Sequence, residues 1–116
     1  PDHEKLKKVF NNYLQVNELP EGIFLPCDSY VFPVYSILMQ NGYIPGKHFK
    51  VLSINNEKSL LAGLYPPPAT IDIRSFELGR AAVQRLLWRC DNLEEPKIKL
   101  KLEPLLVKPN IPGEGS

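Results

Sequence analysis

Metal-binding and redox-active side chains are scarce in this 116-residue chain, which has two cysteines and two histidines. Cys27 and Cys90 are far apart and form no Cys-x-x-Cys pair, and His3 and His48 lack any metal-ligand spacing. No metal and no cofactor is therefore expected. One disulfide is compatible with the count, but no feature requires it, and a reducing, cytoplasmic setting is the expectation. No apolar run reaches the ~18–20 residues of a membrane span, and no charged leader with an apolar stretch opens the chain. An excess of one charge sign is also missing: 14 basic residues face 13 acidic ones, a formal net charge of +1. That balance does not supply the basic face of a domain that grips DNA by itself. A glycine-rich phosphate loop, His-Glu-x-x-His and Gly-x-Ser-x-Gly are all absent from the sequence, so an enzyme is not expected. The first residue is Pro1 rather than methionine, which suggests a boundary or cut within a longer polypeptide.

What is present is ordinary globular composition, 43% hydrophobic and 23% charged, with room for one modest core. Leu6, Val9, Phe10, Tyr13 and Leu14 recur with helical spacing, and Lys5, Lys7, Lys8, Asn11 and Asn12 fill the other face. Gly22 supplies a turn into Ile23-Phe24-Leu25, an uninterrupted apolar run of the kind buried in parallel sheets. Asp28 or Ser29 can cap a helix that reaches Gly42, with Val34, Ile37 and Leu38 on its buried side and Pro33 tolerated near its first turn. Phe49 to Ile54 reads as a second buried strand, and Lys58 to Leu64 as a short helix before the Pro66-Pro67-Pro68 break. Thr70 to Arg74 alternates as a strand or extended crossing. Ser75 to Cys90 is the strongest helix, with Leu78, Ala82 and Leu86 in one row and Val83 and Leu87 beside it. Ile98, Leu100 and Leu102 alternate with lysines and predict a half-buried strand, and from Pro109 the composition is that of a disordered tail. This order argues an α/β fold with a mainly parallel sheet.

In such sheets ligands sit beyond the carboxyl ends of the strands. That rule selects the loops at Pro26–Ser29 and Asn55–Glu57 and the crossing at Ile73–Phe76. They offer Asp28, Ser29, Asn55, Asn56 and Ser75 as hydrogen-bonding groups, with Tyr30 and Phe76 as flat apolar surfaces. Amides and carboxylates beside apolar rings suit a polyhydroxylated molecule, whose buried hydroxyls each need a partner. Duller readings compete: Asp28 as a helix cap, Asn55 as a turn residue, and Tyr30 and Phe76 as core. Cys27 stands on a strand-to-helix loop where some hydrolases place a nucleophile, but without an evident histidine partner an inert thiol is the stronger reading.

Four stretches in order resemble the effector domain of the lac-repressor family of transcription regulators: Leu19–Ser29, Asn41–Asn56, Pro67–Leu87 and Ile98–Lys108. They cover nearly the whole chain, and the Leu78-Gly79 helix favours these regulators over secreted periplasmic sugar-binding proteins. The resemblance implies a periplasmic-binding-protein-like, parallel-sheet sandwich. Residues 1–73 would form the C-terminal lobe, 74–104 a segment returning to the N-terminal lobe, and 105–108 a return to the C-terminal lobe, with 109–116 as tail. It places the ligand-facing positions on Asn55, Cys27, Asp28, Ile73 and Ser75. It further implies a sugar-like effector and a homodimer through Tyr30, Val34, Ile37, Leu64 and Tyr65, and DNA binding only through a helix-turn-helix that this chain does not contain. Asn55 stands where the family usually has a carboxylate, and Cys27 and Ile73 are less polar than common counterparts. A decayed cleft that serves only protein–protein interaction is the competing reading, beside a transport-class sugar binder.

Overall fold

A computed structural model describes residues 1–110. Helix α1 (His3–Val16) starts where the Asp2 side chain accepts the Lys5 amide at 3.2 Å, an N-cap that satisfies one of the free amides of the first turn. Strand β1 (Gly22–Phe24) follows. A single 3₁₀ turn over Asp28–Tyr30 then leads into α2 (Val31–Gln40). Pro33 falls in the first turn of α2, where its missing amide costs nothing. At the other end Gly42 takes φ +87°, and the Gly42 and Tyr43 amides bond back to the Met39 and Leu38 carbonyls, a glycine-closed helix end.

Strand β2 (Lys50–Ile54), the one-turn α3 (Lys58–Leu61) and β3 (Ala69–Asp72) come next. The long α4 (Ser75–Asp91) and a short β4 (Leu105–Val107) complete the order. The sheet runs β1-β2-β3-β4, parallel across the first three strands and antiparallel at β4, which pairs Thr70 with Val107 and Asp72 with Leu105. The mixed but mainly parallel α/β fold expected from the element order is the fold observed.

The core lies on one face of the sheet. Leu25, Val31, Val34, Tyr35, Leu38, Phe49 and Val51 bury together, and α1 closes over them with Leu6, Phe10 and Leu14. Along β2 burial alternates, with Val51 and Ser53 turned into this core, as the twofold side-chain period of a strand requires. The Tyr35 hydroxyl donates to the Pro66 carbonyl at 2.8 Å and pins the proline run to α2. Burial pushes that phenol up to about 12.

Two expectations need correction here. Among the described residues, 97–103 form no strand: Ile98, Leu100 and Leu102 stand exposed and the segment pairs with no other strand. Period-2 alternation reports which face a strand would bury, whereas pairing needs a neighbouring strand edge. Val34 and Ile37, expected at a dimer surface, are fully buried. Because α2 is apolar nearly all round, its sequence does not show which side faces out; Phe32 and Met39 are the exposed apolar residues. The expected tail beyond residue 110 lies outside the described residues.

The shape follows from what α4 lacks. No residue of α4 is buried. The radius of gyration is 19.0 Å, against about 13 Å for a compact domain of this length. The principal extents are 60 × 34 × 22 Å. Among the described residues, no helix is long and apolar enough to cross a membrane.

Candidate functional site

The carboxyl ends of the three parallel strands carry a connected set of polar groups. Asp28 lies at its base, 1% exposed. Its Oδ1 accepts from the Ser53 hydroxyl at 2.5 Å and the Thr70 hydroxyl at 2.9 Å, and its Oδ2 accepts from the Glu57 amide at 2.6 Å. One carboxylate thereby ties the loop after β1 to β2, β3 and the start of α3. Neither Asp28 nor Ser29 caps a helix: the 3₁₀ turn and α2 begin without a side-chain cap. Cys27 is half-buried, with its Sγ 3.0 Å from the Ser29 hydroxyl.

Asn55 and Asn56 both take positive φ, +118° and +55°. Asparagine tolerates this region better than most residues, which makes Asn-Asn a workable exit from β2. The Asn55 amide bonds to the Ile71 carbonyl at 2.8 Å, and the Asn56 amide bonds to the Thr70 hydroxyl at 3.2 Å. The Asn56 side-chain amide donates to Asp72 Oδ2 at 3.2 Å. The other oxygen of Asp72 accepts the Arg74 amide at 2.8 Å. Arg74 is itself left-handed at φ +55°, a conformation that costs on the order of 1 kcal/mol outside glycine and asparagine. Ile73 and Ser75 flank it, both exposed at the entry to α4.

The five expected ligand positions thus separate by environment. Cys27, Asn55, Ile73 and Ser75 have accessible surface at this end of the sheet, whereas the Asp28 carboxylate is enclosed by its three donors. Sequence reasoning missed Asp72, Ser53 and Thr70. Ser53 and Thr70 carried a readable signal, a hydroxyl residue inside an otherwise apolar strand, which needs a buried acceptor. Asp72 precedes Arg74 by the two-residue step of a side-chain-closed turn. Of the dimer candidates, Tyr65 is exposed and Tyr30 and Leu64 are half-buried. His48 accepts the Ile44 amide through Nδ1 at 2.7 Å, before β2 begins, at the end of the sheet opposite Cys27. Among the described residues, no three His, Cys, Asp or Glu side chains gather as a metal site.

The Asp72 carboxyl is held below its ordinary value of 3.8, first by the Arg74 amide, then by the Asn56 side chain, with the charges of Arg74 and Lys58 adding to the effect. A depressed folded value means that its stabilising contribution is present above the unfolded value and is lost as pH falls through the folded one. A carboxyl-carbon NMR titration should place Asp72 below a typical aspartate, and Asn56→Ala should move it upward. A midpoint unchanged by that substitution would contradict the bond from the Asn56 side chain to Asp72.

Residues 2–108 match the periplasmic binding protein-like domain, and the chain belongs to that family. Three solved structures share its fold. A protein described as a transcriptional regulator LacI from Bacillus cereus subsp. cytotoxis NVH 391-98 superposes with a TM-score of 0.80 at 23% identity, over 92% of this chain and 38% of that one. A LacI family transcriptional regulator from Enterococcus faecium with bound ribose gives 0.76 at 20% identity, over 92% and 39%. A LacI family regulator from Silicibacter pomeroyi gives 0.71 at 22% identity, over 92% and 32%. This chain therefore spans well under half the length of each. Comparison with curated proteins gives no significant match.

Proposed function

We propose that this chain is the C-terminal part of the effector-sensing domain of a LacI-family transcriptional regulator, a cytoplasmic binding protein rather than an enzyme. The observation that carries this reading is the Asn55-Asn56 loop at the carboxyl end of a parallel sheet, with Cys27, Ile73 and Ser75 opening onto the same end. Neutral amides and hydroxyls there suit a small, uncharged, sugar-like effector. Asn55 is assigned the direct contact, and Asp28 the task of holding the loops that present it.

Residues 1–73 and 105–108 would belong to one lobe and 74–104 to the other. The pairing of β4 with β3 supports the first assignment, and the unburied α4 supports the second. Effector binding between the lobes would shift their arrangement and so the DNA affinity of a helix-turn-helix elsewhere in the polypeptide, a coupling between two sites. The exposed Phe32, Met39 and Tyr65, with the half-buried Tyr30 and Leu64, would form the homodimer surface. A second reading has a specific observation in its favour: the Asp28 carboxylate is consumed internally and Ile73 is apolar, as in a cleft that has ceased to bind and serves only association.

Thermal unfolding of the two-lobed protein against sugars, sugar phosphates and nucleobases separates the two. A binder at about a hundredfold excess over its dissociation constant should stabilise by about 2.7 kcal/mol, and Asn55→Ala should abolish the shift. A flat response across the panel would favour the association-only reading.

A further inference from the structure

We propose that Asp72 is a positioning residue that couples the loop after β2 to the crossing into α4. The inference rests on the sensor reading only for its purpose; the geometry stands by itself. Among the described residues, the three non-glycine residues with positive φ are Asn55, Asn56 and Arg74. They lie in two segments that meet on one carboxylate. Oδ2 takes the Asn56 side-chain amide and Oδ1 takes the Arg74 backbone amide. Arg74 is also where α4 begins, since its carbonyl accepts the Leu78 amide at 2.8 Å.

A left-handed arginine persists only where its surroundings over-determine it. The Asp72 acceptor is one such constraint, and its orientation is set by Asn56 from the far side. Movement of the Asn55-Asn56 loop therefore turns the Asp72 carboxylate, weakens the bond to the Arg74 amide and frees the direction in which α4 leaves the sheet. A ligand on Asn55 would reach α4 by this route without touching it.

Amide hydrogen exchange on the 116-residue chain tests this without any ligand. Asn56→Ala removes a side chain that makes no contact with the Arg74 amide. Coupling requires that amide to exchange about five- to tenfold faster, the factor for loss of one hydrogen bond, measured relative to the core amide of Val51. Asp72→Ala should accelerate it at least as much, and the double substitution should add little beyond Asp72→Ala. If Arg74 keeps its rate relative to Val51 in Asn56→Ala, or if all amides accelerate together, the bond is merely structural and the proposal is wrong. The two readings fail separately. A silent Arg74 with an effector found overturns the coupling alone, and a responsive Arg74 with no effector found overturns the sensor alone.

Discussion

Asp28→Ala should lower the stability of the chain by about 3–5 kcal/mol, a large fraction of the roughly 5–15 kcal/mol typical of a domain, and move its urea midpoint far downward. The magnitude follows from what would be left behind. Ser53 and Thr70 are 0% and 1% exposed, and both hydroxyls donate to Asp28. With the acceptor gone, each buried donor costs about 1–3 kcal/mol because water cannot replace the partner. The Glu57 amide loses its bond as well. Asp28→Asn should be milder, about 1–3 kcal/mol, because one oxygen can still serve the hydroxyls while the new amide faces the Glu57 N–H, donor against donor. The result also decides the residue's role. A residue whose work is ligand contact would lose affinity on truncation and leave ligand-free stability nearly intact. A loss below about 1 kcal/mol in circular-dichroism-monitored urea unfolding would mean that Asp28 does not hold the loops.

How far the sequence could reach is clearest at this residue. Its position after β1 was readable from the apolar run and the turn that follows, and either a cap or a ligand contact was a fair reading of an aspartate there. Its actual partners lie on β2, on β3 and at the start of α3, separations that no local pattern encodes. The same limit explains α2. Periodicity identifies a helix, but a helix apolar on nearly every side does not announce that Val34 and Ile37 go inward while Phe32 and Met39 stay out. Strands β1 and β2 and helix α4 were legible because each is a strongly patterned segment ended by glycine, asparagine or proline chemistry. The Asn55-Asn56 exit was legible for that reason too. Asp72 was not, because an alternating segment gives equal weight to every outward polar position. Residues 97–103 show the opposite failure, a correct pattern with no edge beside it to complete the strand.

That unpartnered segment and α4 lead to the second large effect: the 116-residue chain by itself should self-associate. Phe76, Leu78, Val83, Leu86 and Leu87 are all exposed on α4, and Leu93, Ile98 and Leu100 are exposed in the chain that follows it. A groove of about 400 Å³ runs between α4 and the following chain, lined by Ala82, Arg85, Leu86, Arg89, Lys97 and Ile98. The Arg85 guanidinium lies 3.9 Å from the centre of the Trp88 ring, so even the cations here partly cover apolar surface rather than separate it. Each large side chain gains about 1.5–3 kcal/mol on full burial, and a patch of this extent is uncommon on a monomer. Sedimentation velocity should therefore give a mass above 13.2 kDa that rises with concentration. Leu86→Arg combined with Leu87→Arg should return it to that of one chain. Because neither residue is buried, the double change should alter the stability of the chain itself by no more than about 0.5 kcal/mol per site. In a two-lobed protein, where α4 would be covered, the same pair should be severely destabilising, since each change would place an unpaired charge in a core. A wild-type chain that stays monomeric at high concentration would show that α4 needs no cover, and would remove the main support for assigning residues 74–104 to another lobe.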